Sequence, residues 1–258
     1  ANPYATPDGP TQVKQTLRTL GVDAVVAIGG DDTLGAAARL AAEGVPIVGI
    51  PKTVDNDLPG TYFTPGFPSA AYYLATFAEE IKRDAAYALS RIYIIEAMGM
   101  KAGWLTCAGA LGGADLVLPP EWKISWKQVL ELASARYKQN GNFAVIVVSQ
   151  EAHFDEPLIG LSETQIGDEH GHVRQSFICL TLRDKIRADL GIEAKALYPG
   201  NYVETGKPIA VDRDLAIARG RKAVGLLDEG TTGQMSCVLR PSPQNFDLAV
   251  GAVPLSEV

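Results

Sequence analysis

The chain has 258 residues, of which 47% are hydrophobic and 21% are charged, and its formal net charge is −7. This composition is typical of a globular protein with enough apolar residues for one or two domains. An acidic chain disfavours general binding to nucleic acids or anionic membranes, and no apolar run is long enough to cross a bilayer. We therefore predict a protein without nucleic-acid or membrane partners.

The cysteines and the N-terminal sequence indicate a compartment. Cys107, Cys179 and Cys237 are odd in number, and no pair has the spacing of zinc ligands or of a CxxC motif. Buried free thiols are expected in a reducing environment, and no signal-peptide pattern is present at the start of the sequence. These observations predict a cytoplasmic protein.

The first predicted elements alternate between helices and short apolar strands. They are a helix over 11–20, a buried strand over 23–28, a helix over 34–43 and a strand over 45–50. An irregular loop over 51–68 follows, rich in Pro, Gly, Thr and Asp, which is typical of a binding loop.

The remainder of the chain continues this alternation, which indicates α/β units with mainly parallel sheets. The predicted helices cover 69–88, 104–111, 125–139, 177–190 and 210–227. The predicted strands cover 91–97, 114–118, 143–149, 194–197 and 234–239. Residues 151–172 are predicted as a polar insertion, residues 199–208 as a loop, and the tail after Pro241 as a segment without a further strand.

Two polar segments directly follow the first two predicted strands. The first reads GGDDT at 29–33, and the second reads PKTVDND at 51–57. Because the carboxyl ends of neighbouring parallel strands meet at one edge of a sheet, we expect these segments to face each other across a ligand crevice. A Gly-Gly turn ahead of a helix brings backbone amides close to phosphate oxygens.

The acidic residues of this crevice predict metal-assisted phosphoryl transfer. Asp31 and Asp32 would repel phosphate unless Mg²⁺, held through Asp31, joined carboxylate and phosphate oxygens. Lys52 supplies a second compensating positive charge. One of Asp55 and Asp57 suits a general base for an attacking hydroxyl, while the other can orient or hold the metal. Each segment alone also fits an ordinary turn with a helix cap, and their joint occurrence favours function.

These segments closely resemble those of the phosphofructokinase family. GGDDT at 29–33 matches its donor-phosphate turn, and PKTVDND at 51–57 matches its catalytic loop. The other matching segments are Met98-Gly99 with KAGW at 101–104, GGAD at 112–115, PPE at 119–121 and VDRDLA at 211–216.

The resemblance implies a role for each of these residues. Asp55 would be the base that deprotonates the sugar hydroxyl, with Thr53 and Lys52 beside it as catalytic residues. The donor phosphates would contact Gly30, Asp32 and Thr33, and Asp31 would bind Mg²⁺. The residues expected at the sugar substrate are Arg91, Met98, Gly99 and Asp57. In the family such an arginine reaches the pocket of a neighbouring subunit, so Arg91 implies a homodimer or homotetramer.

Asp32 and Lys52 imply that the phosphoryl donor is pyrophosphate. ATP-dependent members of the family usually have glycine at the position of Asp32. A carboxylate there intrudes on the space and charge of a nucleotide α-phosphate and leaves room for two phosphates. The implied reaction is reversible transfer from pyrophosphate to the 1-hydroxyl of fructose 6-phosphate in glycolysis, with ATP as the less favoured donor.

The implied fold is two Rossmann-like three-layer α/β/α units with mainly parallel sheets. Residues 1–67 and 203–245 would form the donor-phosphate domain, which we expect to lack its first strand. Residues 68–202 and 246–258 would form the sugar-phosphate domain.

Several positions depart from the family pattern on the sugar-phosphate side. The departures are Met100 in place of Arg, Gln150 (or Glu151) at an acidic position, and Lys195, Asn201 and Val203-Glu204 in a segment that usually carries Arg, His or Tyr, and Gln-Arg. They leave three alternatives: a kinase for another sugar phosphate, a degenerate or regulatory subunit, or a fragment of a longer protein. Outside the motifs, residues 219–222 are interpreted as a solvated helix face.

Overall fold

The computed structural model describes residues 2–87, 90–155, 166–167, 173–174 and 177–258. The helices are α1 (Gly9–Thr19), α2 (Asp31–Ala42), α3 (Phe67–Tyr87), α4 (Trp104–Ala108), α5 (Trp126–Gln139), α6 (Ile178–Leu190), α7 (Gly200–Thr205) and α8 (Ala210–Asp228). The strands are β1 (Val25–Gly29), β2 (Ile47–Pro51), β3 (Arg91–Ala97), β4 (Leu116–Leu118), β5 (Lys123–Ile124), β6 (Phe143–Ser149), β7 (His153–Phe154), β8 (Ile166–Gly167), β9 (Val173–Arg174), β10 (Ala194–Leu197), β11 (Gln234–Leu239) and β12 (Ala249–Pro254). Most of the predicted insertion at 151–172 lies outside the described residues.

The chain divides into two compact units. Unit 1 comprises Ala1–Pro68 and Pro208–Val258, and unit 2 comprises Ser69–Lys207. The predicted boundaries therefore need correction, because residues 203–207 lie in unit 2 and residues 246–258 lie in unit 1. The tail belongs to unit 1 because β12 pairs with β11.

Unit 1 has a four-stranded sheet in the order β1-β2-β11-β12. The first three strands are parallel, and β12 is antiparallel to β11. Leu34 of α2, Ile47 of β2, Met235 of β11 and Leu255 form the centre of one apolar cluster. The strand β1 is only partly buried and its Ile28 is exposed, unlike the buried strand that we predicted, because β1 pairs with β2 alone among the described strands.

The strand β12 contradicts the prediction of a tail without a further strand. Its residues pair in register from Gln234↔Pro254 to Leu239↔Ala249. The sequence AVGAVP at 249–254 contains glycine, proline and two alanines, which are depleted in strands, so its pairing depends on the presence of β11.

Unit 2 has a parallel sheet in the order β10-β3-β6-β4. The strands β3 and β6 are almost wholly buried, as near-continuous apolar runs predict for strands covered on both faces. Ile92, Ile94, Ile146 and Val148 pack with residues of α5 and α6 in the core. The mainly parallel α/β architecture that we predicted is therefore confirmed.

One carboxyl group lies inside this core. Glu96 of β3 is buried, and its Oε2 accepts a hydrogen bond from the backbone N–H of Cys179 at 2.9 Å. Burial raises the pKa of the Glu96 carboxyl, although the bonds from Cys179 oppose the rise.

Cys179 and Cys237 are buried free thiols as predicted, whereas Cys107 is a free thiol at the surface.

Two local predictions also need correction. The helix α2 begins at Asp31 rather than at Leu34, and the predicted loop 199–208 contains the helix α7. Across the part of the chain that the structure describes, no helix combines the length and hydropathy that crossing a membrane requires.

Candidate active site

The first polar segment forms the turn between β1 and α2. Gly30 has an extended backbone and is the N-cap residue of α2, and no described side chain caps this helix end. The backbone amides of the first turn therefore lack the acceptor that an N-cap side chain would supply. Asp31 and Asp32 lie in the same turn and are exposed. This helix end combines amide donors, which favour phosphate, with carboxylates, which favour a cation.

Gly29 is required by the close packing of Thr33. A Cβ atom at Gly29 would overlap the side chain of Thr33, which folds back over the end of β1. A Cβ at Gly30 would meet only Thr53 Cβ at 3.8 Å and the Lys52 carbonyl oxygen at 3.9 Å. The Gly-Gly pair thus leaves the space beside the helix end open on the side of the second polar segment.

The second polar segment lies directly beside the first, as expected from the parallel strands. Gly29 pairs with Pro51 at the carboxyl ends of β1 and β2, and the Lys52 N–H donates to the Gly29 carbonyl at 2.8 Å. Lys52 is exposed and forms no ion pair with any described residue. Its ammonium group is therefore available to an anionic ligand.

The conformation around Asp55 is fixed by hydrogen bonds on both sides. The Asp55 N–H donates to Thr53 Oγ1 at 3.1 Å, and Asn56 has a left-handed backbone with φ of 56°. Thr64, which is fully buried, donates its hydroxyl to the Thr53 carbonyl at 2.7 Å. Its backbone N–H donates to Asn56 Oδ1 at 2.9 Å. Thr64 therefore holds Thr53 and Asn56, which flank Asp55 in the sequence.

The charges of the two segments influence each other. Burial raises the pKa of Asp57, the negative charge of Asp31 raises it further, and a backbone hydrogen bond partly opposes both. No cluster of three or more metal-ligating side chains occurs among the described residues. A pair of carboxylates is nevertheless sufficient for Mg²⁺, which usually binds one or two carboxylates together with phosphate oxygens and water. Asp31 and Asp57 fit this requirement.

The predicted sugar-binding residues Met98 and Gly99 lie at the carboxyl end of β3 in unit 2. Gly99 has a φ of 130°, and a Cβ there would lie 2.6 Å from the Ala102 carbonyl oxygen, so the turn requires glycine. At the neighbouring end of β6, the Gln150 side-chain amide lies 3.1 Å from the sulfur of Met100. Two of the residues that depart from the family pattern, Met100 and Gln150, therefore contact each other.

Arg91 lies at the opposite end of the same strand. It is the first residue of β3, and a strand of seven residues separates its backbone from that of Met98 by about 20 Å. Its side chain is buried, and its Nε has no hydrogen-bond partner among the described atoms. Arg91 therefore does not join Met98 and Gly99 in one site within unit 2.

Sequence reasoning missed the residues that support the second polar segment. Arg219 is fully buried, so the interpretation of 219–222 as a solvated helix face is wrong for this residue. It follows Asp212 by seven residues, and two turns of helix place such residues on one face. That spacing was the available signal, because Asp212 already belonged to the VDRDLA segment.

Comparisons with known proteins agree with this architecture. The phosphofructokinase family model matches residues 1–227. The chain is 38% identical over 235 residues to a pyrophosphate–fructose 6-phosphate 1-phosphotransferase of Amycolatopsis methanolica, covering 91% of this chain and 68% of that protein. It is 34% identical over 248 residues to an ATP-dependent 6-phosphofructokinase of Corynebacterium efficiens, covering 95% and 71%.

A solved structure gives the same fold. The crystal structure of a pyrophosphate-dependent phosphofructokinase from Marinobacter aquaeolei matches with a TM-score of 0.84 and 24% identity, over 98% of this chain and 64% of that one. The predicted fold is thereby confirmed. The chain spans about two thirds of the length of these relatives.

Proposed function

Because the chain belongs to the phosphofructokinase family, we propose that it transfers a phosphoryl group reversibly from pyrophosphate to the 1-hydroxyl of fructose 6-phosphate. One observation carries this proposal. The N-terminus of α2, which has no side-chain cap, lies beside the segment at 53–57, which hydrogen bonds hold in place. Such an arrangement supports the proposal, because phosphoryl transfer requires a phosphate cradle next to a carboxylate base. The 38% identical relative carries the name of this reaction.

The donor phosphates would bind at the first turn of α2. The amides that follow Gly30 and the hydroxyl of Thr33 would donate hydrogen bonds to phosphate oxygens, and Lys52 would neutralise part of their charge. Asp32 occupies the same turn, so a third phosphate and a nucleoside would meet its negative charge and its volume. This favours pyrophosphate over ATP as the donor.

Magnesium fits this site through two carboxylates. Asp31 would hold the ion, and Asp57 lies near enough for its pKa to respond to the charge of Asp31. When bound, Mg²⁺ neutralises charge on the phosphate oxygens and so makes the phosphorus more electrophilic.

Asp55 would act as the general base towards the sugar. Its carboxylate would accept the proton of the 1-hydroxyl while the hydroxyl oxygen forms a bond to the terminal phosphorus of pyrophosphate. The bond between that phosphorus and the bridging oxygen breaks, and orthophosphate leaves with the bonding electrons. The hydroxyl of Thr53, which accepts a hydrogen bond from the Asp55 N–H, would hold the base in place and lie near the transferred group.

The sugar phosphate would bind near Met98 and Gly99 of unit 2. Arg91 lies about 20 Å from Met98 along β3, so we assign it to the site of a neighbouring subunit. This assignment requires a homodimer or homotetramer. A cytoplasmic location is the corresponding expectation for a sugar-phosphate enzyme.

One observation favours a second candidate, a kinase for another sugar phosphate. The contact between Gln150 and Met100 is uncharged, whereas the family pattern has an acidic residue and an arginine at these positions. A pocket with this change loses a charge that attracts phosphate and gains apolar volume. The acceptor is therefore the part of the proposed reaction that most needs a direct assay.

The purified protein should be incubated with Mg²⁺, fructose 6-phosphate and either pyrophosphate or ATP, and fructose 1,6-bisphosphate should be followed. We expect turnover with pyrophosphate and much less with ATP. Turnover with sedoheptulose 7-phosphate alone would favour the second candidate. A folded protein that uses neither donor with either sugar would refute both candidates and leave the regulatory alternative.

A further inference from the structure

Two buried charged residues of α8 contact the loop that follows the second polar segment. We call residues 58–66 the bracing loop. Both carboxylate oxygens of Asp212 accept the Gly66 N–H at 3.1 Å, and Asp212 is 4% exposed. The Nη2 of Arg219, which is 0% exposed, donates to Thr61 Oγ1 at 3.1 Å and to the Phe63 carbonyl. All of these residues belong to unit 1.

The bracing loop in turn holds the segment around Asp55. Thr64 binds the Thr53 carbonyl and the Asn56 side chain, as described above. The Asn56 side-chain amide also donates to the Tyr62 carbonyl at 3.3 Å, and Thr53 forms a β-bridge with Gly66. The residues that Thr64 and Gly66 fix therefore lie within two positions of Asp55 on either side.

The bracing loop is also attached to the sheet of unit 1. The Tyr62 N–H donates to the Val238 carbonyl at 2.7 Å, and the Val238 N–H donates to Thr61 Oγ1 at 3.0 Å. Thr61 thus joins β11 to Arg219. Contacts from the sheet and from α8 meet in the same short stretch, 61–66.

Burying the charged Arg219 side chain costs more free energy than filling the same space with an apolar side chain. Its Nε and Nη1 have no hydrogen-bond partner among the described atoms. Burial lowers the pKa of its guanidinium to about 10, although Cys237 and Asp212 oppose the shift. An apolar side chain of similar length would fill the same space without this desolvation cost.

We propose that Asp212 and Arg219 are positioning residues that hold the Thr53–Asp57 segment through the bracing loop. Neither residue touches the reacting groups. The chain of contacts runs from α8 to Thr61, Phe63 and Gly66, then through Thr64 to the residues that flank Asp55. The effect on turnover rests on the proposed function, whereas the effect on the order of the segment does not.

Four variants on one helix test this proposal. Arg219→Met removes the guanidinium and keeps an apolar side chain of similar length, and Asp212→Ala removes the acceptor for Gly66. Arg221→Met and Asp214→Ala are the matched controls, because both residues are exposed on α8. Amide hydrogen exchange should be measured for peptides that cover 53–67 and for a peptide of β1, together with urea unfolding.

We expect Arg219→Met and Asp212→Ala to accelerate exchange in 53–67 about tenfold or more, with little change in β1 and none in the controls. Equal exchange in 53–67 for all four variants would overturn the proposal. A uniform acceleration that also includes β1 would overturn it too, because it would indicate loss of global stability alone.

Kinetics give the second measurement. A misplaced base should lower kcat about tenfold to a hundredfold, and KM for pyrophosphate should stay within about threefold because the first turn of α2 is unchanged. Arg219→Lys should restore part of kcat, since it keeps a donor towards Phe63. Unchanged kcat in a variant with a loosened segment would refute the catalytic part. Inactivity of the wild-type protein would instead refute the proposed function, and the exchange data would still decide the positioning role.

Discussion

Replacing Thr64 with valine removes one hydroxyl group from the centre of the network around Asp55. Thr64 is fully buried, and its Oγ1 donates to the Thr53 carbonyl at 2.7 Å. Valine has nearly the same shape, so the change creates no sizeable cavity. Its consequence is that the part-buried Thr53 carbonyl loses a donor and that Asn56 Oδ1, 3.3 Å from the same hydroxyl, loses this contact.

The expected magnitude follows from the loss of this hydroxyl. A typical intramolecular hydrogen bond contributes about 0.5–1.5 kcal/mol to the free energy of unfolding, and this range applies because the Thr53 carbonyl is only part-buried. Thr64→Ser keeps the hydroxyl and loses one methyl group, which corresponds to about 0.8 kcal/mol. The two variants can therefore have similar stability while differing in the position of Thr53. Only the valine variant should lower kcat, by about tenfold or more.

Urea unfolding and steady-state kinetics with pyrophosphate check this expectation. Thr11→Val is the matched control, since Thr11 is exposed in α1, and its effect on stability should stay within about 0.5 kcal/mol. If Thr64→Val is as stable and as active as Thr11→Val, the hydroxyl does not hold the segment and the reasoning is wrong.

Three further outcomes test the site and the core. Gly29→Ala should displace Thr33 and lower pyrophosphate-dependent activity about tenfold or more, and retained activity with an unmoved Thr33 in a crystal structure would contradict this. Asp31→Asn should lower the pKa of Asp57, because it removes a negative charge that raises it, and an unshifted carboxyl titration by NMR would contradict this. Glu96→Gln should become more stable relative to wild type as the pH rises above 4.5. The buried carboxyl of the wild type has a raised pKa, so the wild-type protein loses stability as this group is forced to ionise, whereas glutamine does not titrate. Parallel stability curves from urea unfolding between about pH 4 and pH 8 would refute this.

The central strands of unit 2 could be predicted because their own sequences favour a buried strand. The strands β3 and β6 have the bounds that we predicted, 91–97 and 143–149, since both RIYIIEA and FAVIVVS are rich in β-branched and aromatic residues. The helix α2 begins three residues before the predicted Leu34, because GGDDT is equally typical of a turn. Asp31 and Asp32 are polar residues that also suit the first turn of a helix.

The parts that could not be predicted depend on distant contacts. The strand β12 forms because β11 presents an edge to it, and nothing in AVGAVP at 249–254 identifies that partner. Arg219 resembled a surface residue because its neighbours Arg221 and Lys222 are charged. Its burial results from residues 61–63, more than 150 positions earlier in the chain. For the candidate site, the pairing of the two polar segments was predictable, whereas the bracing loop was not.

Unit 1 is formed by two stretches of the chain that are far apart in sequence, and this affects when its parts become available during synthesis. A ribosome releases GGDDT and PKTVDND before any residue of unit 2, yet β11, Asp212 and Arg219 emerge only after the whole of unit 2. Until then, β2 does not yet have β11 beside it, and the segment around Asp55 lacks its anchors on α8. A nascent chain that ends before residue 208 therefore contains every predicted donor-site residue but not the scaffold that holds them in place.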